Sequence, residues 1–459
     1  MTRLDRSQLP IPGADRPFHF PRIVKRVLAN GLEIRAVQHA SVPVAAMVLV
    51  VPGGSSVDPV DAHGLVSLTA GLLDEGSKGQ SALEVADRIA RMGGDLDLDA
   101  GHDAVVVGLT TLDRFFDAGL ELVKEIVTEP NLANDDFNRI RNLRLERLRQ
   151  MRDHAGALAD RAFARVLYGA HPYGHLALGS DESVSAMSVD AVRALHGAIF
   201  TPAGATLVVV GDRPEEELLD RAAACFDSWR AAASPLAIDH DAALIDPPAA
   251  PSLSLGVVPR PGAAQSELRI GHVCARRSTP DYHTLLMLNT ILGGDFVSRL
   301  NLNLRERKGY TYGVRTGFNL RRGVGPFLMQ TSVGTDVTVP AIIEALSEIR
   351  AIRDTRPPTP DEMSSAFATL SKGYPRGFET AGQVARSVAQ LALHQLPDTY
   401  FEEFVPTLAR VTADNVLAAA CKYLDPDRLA TVIVGDLDKI HGLLAGLGLG
   451  AHEVLTPAL

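Results

Sequence analysis

Residues 188–212, SVDAVRALHGAIFTPAGATLVVVGD, and residues 412–436, TADNVLAAACKYLDPDRLATVIVGD, align without a gap at a spacing of 224 positions. Asp190, Val192, Pro202, Val208, Val210, Gly211 and Asp212 coincide with Asp414, Val416, Pro426, Val432, Val434, Gly435 and Asp436. In each copy an amphipathic helical pattern gives way, across a proline turn, to a continuous apolar run that reads as a buried strand ending in Gly-Asp. A chain that repeats itself over this distance is a duplicated domain, and 459 residues are too many for one ordinary core.

Between the copies lies RAAASPLAIDHDAALIDPPAAPSLS, rich in alanine and proline and weak in periodicity, which reads as an extended linker. The expected division is an N-terminal domain over 1–235, a linker over 236–254 and a C-terminal domain over 255–459. In the first copy, GLEIRAVQH and PVAAMVLVVPGG read as paired strands, followed by helices over 62–76 and 81–92, a strand at DAVVVGLTTL and a long helix near 135–152. Strands and helices mix without strict βαβ alternation. The fold class expected is therefore α+β, a mainly antiparallel sheet packed with helices in each half.

A formal net charge of −10 argues against nucleic acid or an anionic membrane surface as a partner. Cys225, Cys274 and Cys421 are few and scattered, which suits a reducing compartment and offers no CxxC site. The N-terminal twenty residues lack the apolar core of a secretory signal, and no run approaches a membrane span. The expected location is cytoplasmic, or periplasmic if a leader has been trimmed.

The order and spacing of NGLEIRAVQH, GGSSVDPVDAHGLVSLTAGLLDEGSKG, HPYGH, FTPAGATLVVVGD, PGAAQSELRIGH and LNTILGGDFVSRLNLNLRERKGYTYGV resemble the pitrilysin-like inverted zinc peptidases of family M16. The likeness runs over nearly the whole chain. It implies two homologous domains forming half of a clamshell. Active members carry H-x-x-E-H on the helix beginning near Gly64, where two imidazoles one turn apart bind Zn²⁺ and the Glu activates the metal-bound water. In this chain Ser67 and Gly71 stand at the histidine positions and Ala70 at the glutamate position. The third ligand, normally a later Glu, falls at Arg147, with Glu146 beside it. No metal is expected here.

Other candidates are weaker. His171 and His175 of HPYGH sit in a turn, where the resemblance implies a structural loop. His63 and His102 read as surface or hydrogen-bonded groups. The arginines at 139, 141, 144, 147, 149 and 152 read as a solvated helix face.

LRERKGYTYGV carries an arginine followed seven residues later by a tyrosine, Arg305 and Tyr312. By resemblance, this is the pair that contacts bound peptide across the chamber from the zinc. A guanidinium suits peptide carbonyl or carboxylate oxygens, and a phenol can donate to an oxygen that gains charge. Tyr310 stands where the family has an aliphatic residue. An intact Arg/Tyr pair without the zinc motif implies a non-catalytic, substrate-positioning subunit. It would be inactive alone and would form a heterodimer with an H-x-x-E-H-bearing homologue that holds the zinc and hydrolyses peptides. The alternatives are a scaffold that has lost peptidase activity, or a peptide-binding homodimer.

Overall fold

Strands built from runs such as AAMVLVV, TLVVVG and ATVIVG have no polar face to turn to water, so they must be covered on both sides. The computed structural model, which describes residues 18–456 apart from 233, 235, 248, 249 and 252, does this with two six-stranded sheets. Most of the N-terminal stretch read for a secretory signal lies outside the described residues.

The first half contributes β1 (Val24–Val27), β2 (Glu33–Gln38), β3 (Val44–Pro52), a small hairpin of β4 (Gly76–Ser77) and β5 (Gln80–Ser81), then β6 (Asp95–Ala100), β7 (Ala104–Leu112) and β8 (Thr206–Gly211). The second contributes β9 (Leu255–Pro259), β10 (Gln265–Ala275), β11 (Val314–Phe318), β12 (Gly325–Gly334), β13 (Ala430–Gly435) and β14 (Glu453–Val454). The sheet orders are β1-β2-β8-β3-β7-β6 and β14-β9-β13-β10-β12-β11. Each has a parallel pair at the corresponding place, β2 with β8 and β9 with β13, and the second sheet adds a parallel β14 beside β9, while β8-β3-β7-β6 and β13-β10-β12-β11 are antiparallel throughout. The repeat seen in sequence is thus a repeat of topology.

Two expectations are corrected. GLEIRAVQH and PVAAMVLVV do not pair with each other, because β8 lies between them, parallel to β2 and antiparallel to β3. All six residues of β8 are buried, so it needs neighbours on both edges. The helix expected over 62–76 is a six-residue helix, since the chain turns at Gly71 and thereby sends both Leu72 and Leu73 into the core.

Helices of the first half are α1 (Leu65–Ala70), α2 (Ala82–Arg91), α3 (Phe116–Thr128), α4 (Asn134–Asp153), α5 (Ala155–Tyr168), α6 (Asp181–Ala186), α7 (Val189–Ile199) and α8 (Glu215–Phe226). Those of the second are α9 (Tyr282–Asn289), α10 (Thr338–Ala351), α11 (Pro360–Lys372), α12 (Ala381–Leu393), α13 (Tyr400–Leu408), α14 (Ala413–Tyr423) and α15 (Leu437–Leu444). One face of each sheet packs on helices of its own half. The other faces are covered reciprocally. Leu158, Ala159, Ala162 and Phe163 of α5 lie on Val258, Val273, Val432 and Val434 of the second sheet. Ala381, Val384, Ala385 and Val388 of α12 lie on Val37, Val48, Val50 and Val208 of the first. At the junction Asp103 accepts the Tyr173 hydroxyl and, at 2.9 Å, the backbone N–H of Arg322, while the N–H of Gly323 donates to Tyr173 at 3.0 Å.

Candidate functional site

Helix α1 has no capping side chain at Gly64, and its free amides are met from outside. Both oxygens of Asp58 accept, from Gly64 N–H at 2.7 Å and Val66 N–H at 2.8 Å. Gly64 itself has φ +96°, and a Cβ there would come within 2.7 Å of the Gly179 nitrogen, so glycine is required twice over. His175 donates to Asp58 at 3.1 Å and stacks on His63 with ring centroids 4.0 Å apart, and His171 donates to the Ile245 carbonyl at 2.8 Å. Burial lowers the pKa of both His63 and His171, favouring neutral rings. The HPYGH loop is thus a buttress for the start of α1. Among the described residues no group of three His, Cys, Asp or Glu side chains is placed to hold a metal.

The positions at which the resemblance implies zinc ligands have a different occupant. Arg144 of α4 donates through Nη1 to Ser67 Oγ at 3.1 Å and through Nη2 to the Ser67 carbonyl at 3.3 Å. A side chain starting from Gly71 would find that Nη2 3.9 Å from its Cβ. Ala70 is buried in the first core. Arg147 and Glu146 are exposed on the helix, so the residue facing Ser67 is Arg144, one turn before the position expected. These residues do not fit Zn²⁺: they offer a hydroxyl, a methyl, a hydrogen and a cation, with no imidazole or carboxylate.

The arginine series on α4 is accordingly more than a solvated face. Arg139 pairs with Glu75 at 2.5 Å, Arg141 donates to the Met187 carbonyl at 3.2 Å and Arg152 pairs with Asp181. These arginines tie α4 to the segment after α1 and to α6 because a guanidinium reaches backbone and carboxylate acceptors along its apolar stem. Desolvation lowers the pKa of Arg144, partly opposed by Asp58.

Arg305 and Tyr312 come together on one cavity of about 570 Å³, with Gly293, Gly294 and Phe296 on its rim; neither Ser67 nor Gly71 lines it. Arg305 stands on a π-helical turn, Asn301–Arg307, and such turns redirect side chains at functional sites. Its guanidinium carbon lies 3.2 Å from the centroid of the exposed Phe296 ring, Nε donates to Glu306 at 2.9 Å and Nη2 to the Phe296 carbonyl at 3.2 Å. Nη1 is buried and meets no acceptor. Tyr312 is 95% exposed, its hydroxyl free to reach a ligand. Tyr310 instead packs against the second core, so the two tyrosines do not present alike.

Sequence reasoning missed two residues. Asn301 is buried and answers both backbone groups of Val314, donating to its carbonyl and accepting from its N–H, each at 2.9 Å, which anchors the start of β11 beside Tyr312. Arg144 is the other. No local signal marks Asn301, whereas Arg144 sits one helical turn from Leu148, which is fully buried.

The family description "Insulinase (Peptidase family M16)" matches residues 35–176, and "Peptidase M16 inactive domain" matches residues 186–370. An uncharacterised zinc protease of Mycobacterium leprae is 25% identical over 417 residues, covering 90% of this chain and 91% of that protein. One of Streptomyces coelicolor is 22% identical over 86% of both. A Helicobacter pylori protein named a non-peptidase homolog is 24% identical over 169 residues, 37% of this chain and 39% of that one. The crystal structure of a peptidase M16 inactive domain from Pseudomonas fluorescens superposes with a TM-score of 0.83 at 26% identity, over 90% of this chain and 98% of that one. Sheets, duplicated topology and both family descriptions agree that the chain belongs to peptidase family M16.

Proposed function

We propose that this chain is the non-catalytic, substrate-positioning subunit of a two-component M16 zinc peptidase, holding an extended peptide while a partner with H-x-x-E-H supplies the zinc. The observation that carries this reading is a contrast between two sites in one chain. Where ligands would stand, Arg144 is hydrogen-bonded into Ser67; in the other half, Arg305 keeps a buried donor without an acceptor and Tyr312 projects into solvent. Glu306 and the Phe296 ring hold the Arg305 guanidinium on the cavity wall, on the same cavity as the exposed phenol.

Co-expression with an H-x-x-E-H-bearing M16 homologue, followed by sizing chromatography and peptide hydrolysis, tests the reading. The expected result is a mixed species that cleaves peptides, beside a lone chain that does not. Chelator-sensitive cleavage by the lone chain with stoichiometric zinc would overturn it, as would failure to form any mixed species. The relative named a non-peptidase homolog favours a second reading, a scaffold, and full activity of a pair carrying both Arg305→Ala and Tyr312→Phe would select that one.

A further inference from the structure

Three cavities share walls. The one lined by Arg305 and Tyr312, about 570 Å³, shares Gln330 with a cavity of about 450 Å³ beside α5. That one shares Ala164, His175 and Leu176 with a third, about 560 Å³, beside the start of α1. Together they run along one side of the molecule from β11, past α5, to His63, a course suited to an extended chain.

Their charges are unevenly matched. Four carboxylates line the three cavities, Asp58, Asp160, Glu267 and Asp295, and each is already engaged. Asp58 takes two backbone amides and His175, while Asp160 and Glu267 both accept from Arg269. Asp295 accepts from Phe296 N–H and from Thr369. Of the arginines, Arg305 pairs with Glu306 at 2.7 Å but still has donors left over. Among the described residues four arginines bury an Nη1 that meets no acceptor, and three of them, Arg161, Arg305 and Arg321, stand one in each cavity. Arg321 lies over the rings of Tyr173 and Tyr168, at 4.6 and 5.6 Å from their centroids, with no carboxylate paired to it among the described residues. Arg161 has Asp181 near it, but that carboxylate is paired with Arg152. Arg165, one turn beyond Arg161, lines the same cavity as an exposed cation.

On this basis we propose that the groove selects acidic peptides: extended segments whose Asp and Glu side chains, or whose terminal carboxylate, pair with Arg161, Arg165, Arg321 and Arg305. The inference rests on the substrate-positioning reading and deepens it. A protein of net charge −10 repels an acidic peptide at long range, so the groove must supply local, desolvated donors for such a ligand to dwell there. Guanidinium groups on the groove walls do this, since charge-assisted bonds to carboxylates are roughly twice as strong as neutral ones.

The test uses the full chain and fluorescence anisotropy with labelled peptides of equal length. Three are amidated at the C-terminus and carry alternating Glu, Gln or Lys; a fourth repeats the Gln series with a free carboxylate. The expected order is Glu tightest, by about tenfold over amidated Gln, with Lys weakest and the advantage shrinking in high salt. A gain confined to the fourth peptide assigns the chemistry to a terminal carboxylate, and a gain for the Glu series assigns it to side chains. Arg161→Gln, the exposed Arg165→Gln and Arg321→Gln should each reduce the Glu advantage, read as the ratio of Glu-peptide to Gln-peptide affinity. Equal binding of the Glu peptide and both Gln peptides sinks the acidic preference and leaves peptide positioning standing, whereas binding of none of the four overturns both. A Glu preference that survives all three substitutions undiminished removes it from this groove.

Discussion

Tyr312 touches little and is almost wholly exposed, so its hydroxyl is available for function at no cost to the fold. In the reconstituted pair, Tyr312→Phe should lower kcat by roughly 10²-fold, the scale of one lost oxyanion donor, with Tm unchanged. Tyr310→Phe is the control, and because Tyr310 lies against the second core it should leave kcat near wild type. A reversed pattern would show that the wrong tyrosine had been chosen. The spacing of Arg305 and Tyr312 was legible along the chain because both lie within one short segment. Arg144 was not, because which residue of α4 faces α1 depends on the rotation of one helix against another. Its position makes a second prediction: Ser67→His with Ala70→Glu and Gly71→His should not restore zinc. Arg144 would repel the ion, and a carboxylate at position 70 enters an apolar core, costing more than the about 1–3 kcal/mol of a neutral polar group. Elemental analysis of the triple variant reads the first claim and its denaturation midpoint the second.

Helix α12 shows how an element can belong to one half by sequence and to the other by packing. Its start is local: Thr380 and Gln383 form a reciprocal cap, and Thr380→Ala should cost about 1 kcal/mol. Its destination is not local. Ala381, Ala385 and Ala389 let the helix approach Val37, Val48 and Val208 of the first sheet. Ala385→Leu should therefore overpack that contact by about 1–3 kcal/mol and weaken hydrogen-exchange protection in β3 and β8, although the substitution lies far along the chain. Loss of protection confined to β10 and β13 would show the helix covering its own half instead. Strand existence was readable from apolar runs; strand neighbours were not, and β8 entered between β2 and β3 because a strand buried along its whole length has to lie inside a sheet.

At the scale of the molecule, burial and nearby arginines hold several imidazoles neutral. His102 sits near pKa 3 through burial and Arg321, and His283 and His394 near 4 through burial and Arg277. An unfolded chain protonates these rings below their ordinary 6.5 and the folded chain does not, so the stability present above that value is lost as pH falls toward 4. Tm should drop between pH 7 and pH 5, before most carboxylates titrate; a flat profile over that range would contradict the assignment. His102 and His394 flank the place where Asp103, Tyr173 and Arg322 tie the halves together, so acid acts on the junction itself. The order of residues was sufficient for the duplication, the α+β class, the family and the absence of H-x-x-E-H, because each is a matter of residue type at fixed spacing. The exchange of α5 and α12 between sheets, the seating of Arg144 on Ser67 and the cavities that share walls around Arg305, Arg321 and Arg161 required folding in three dimensions. Each depends on which buried faces meet, and an apolar face carries no mark of which partner will cover it.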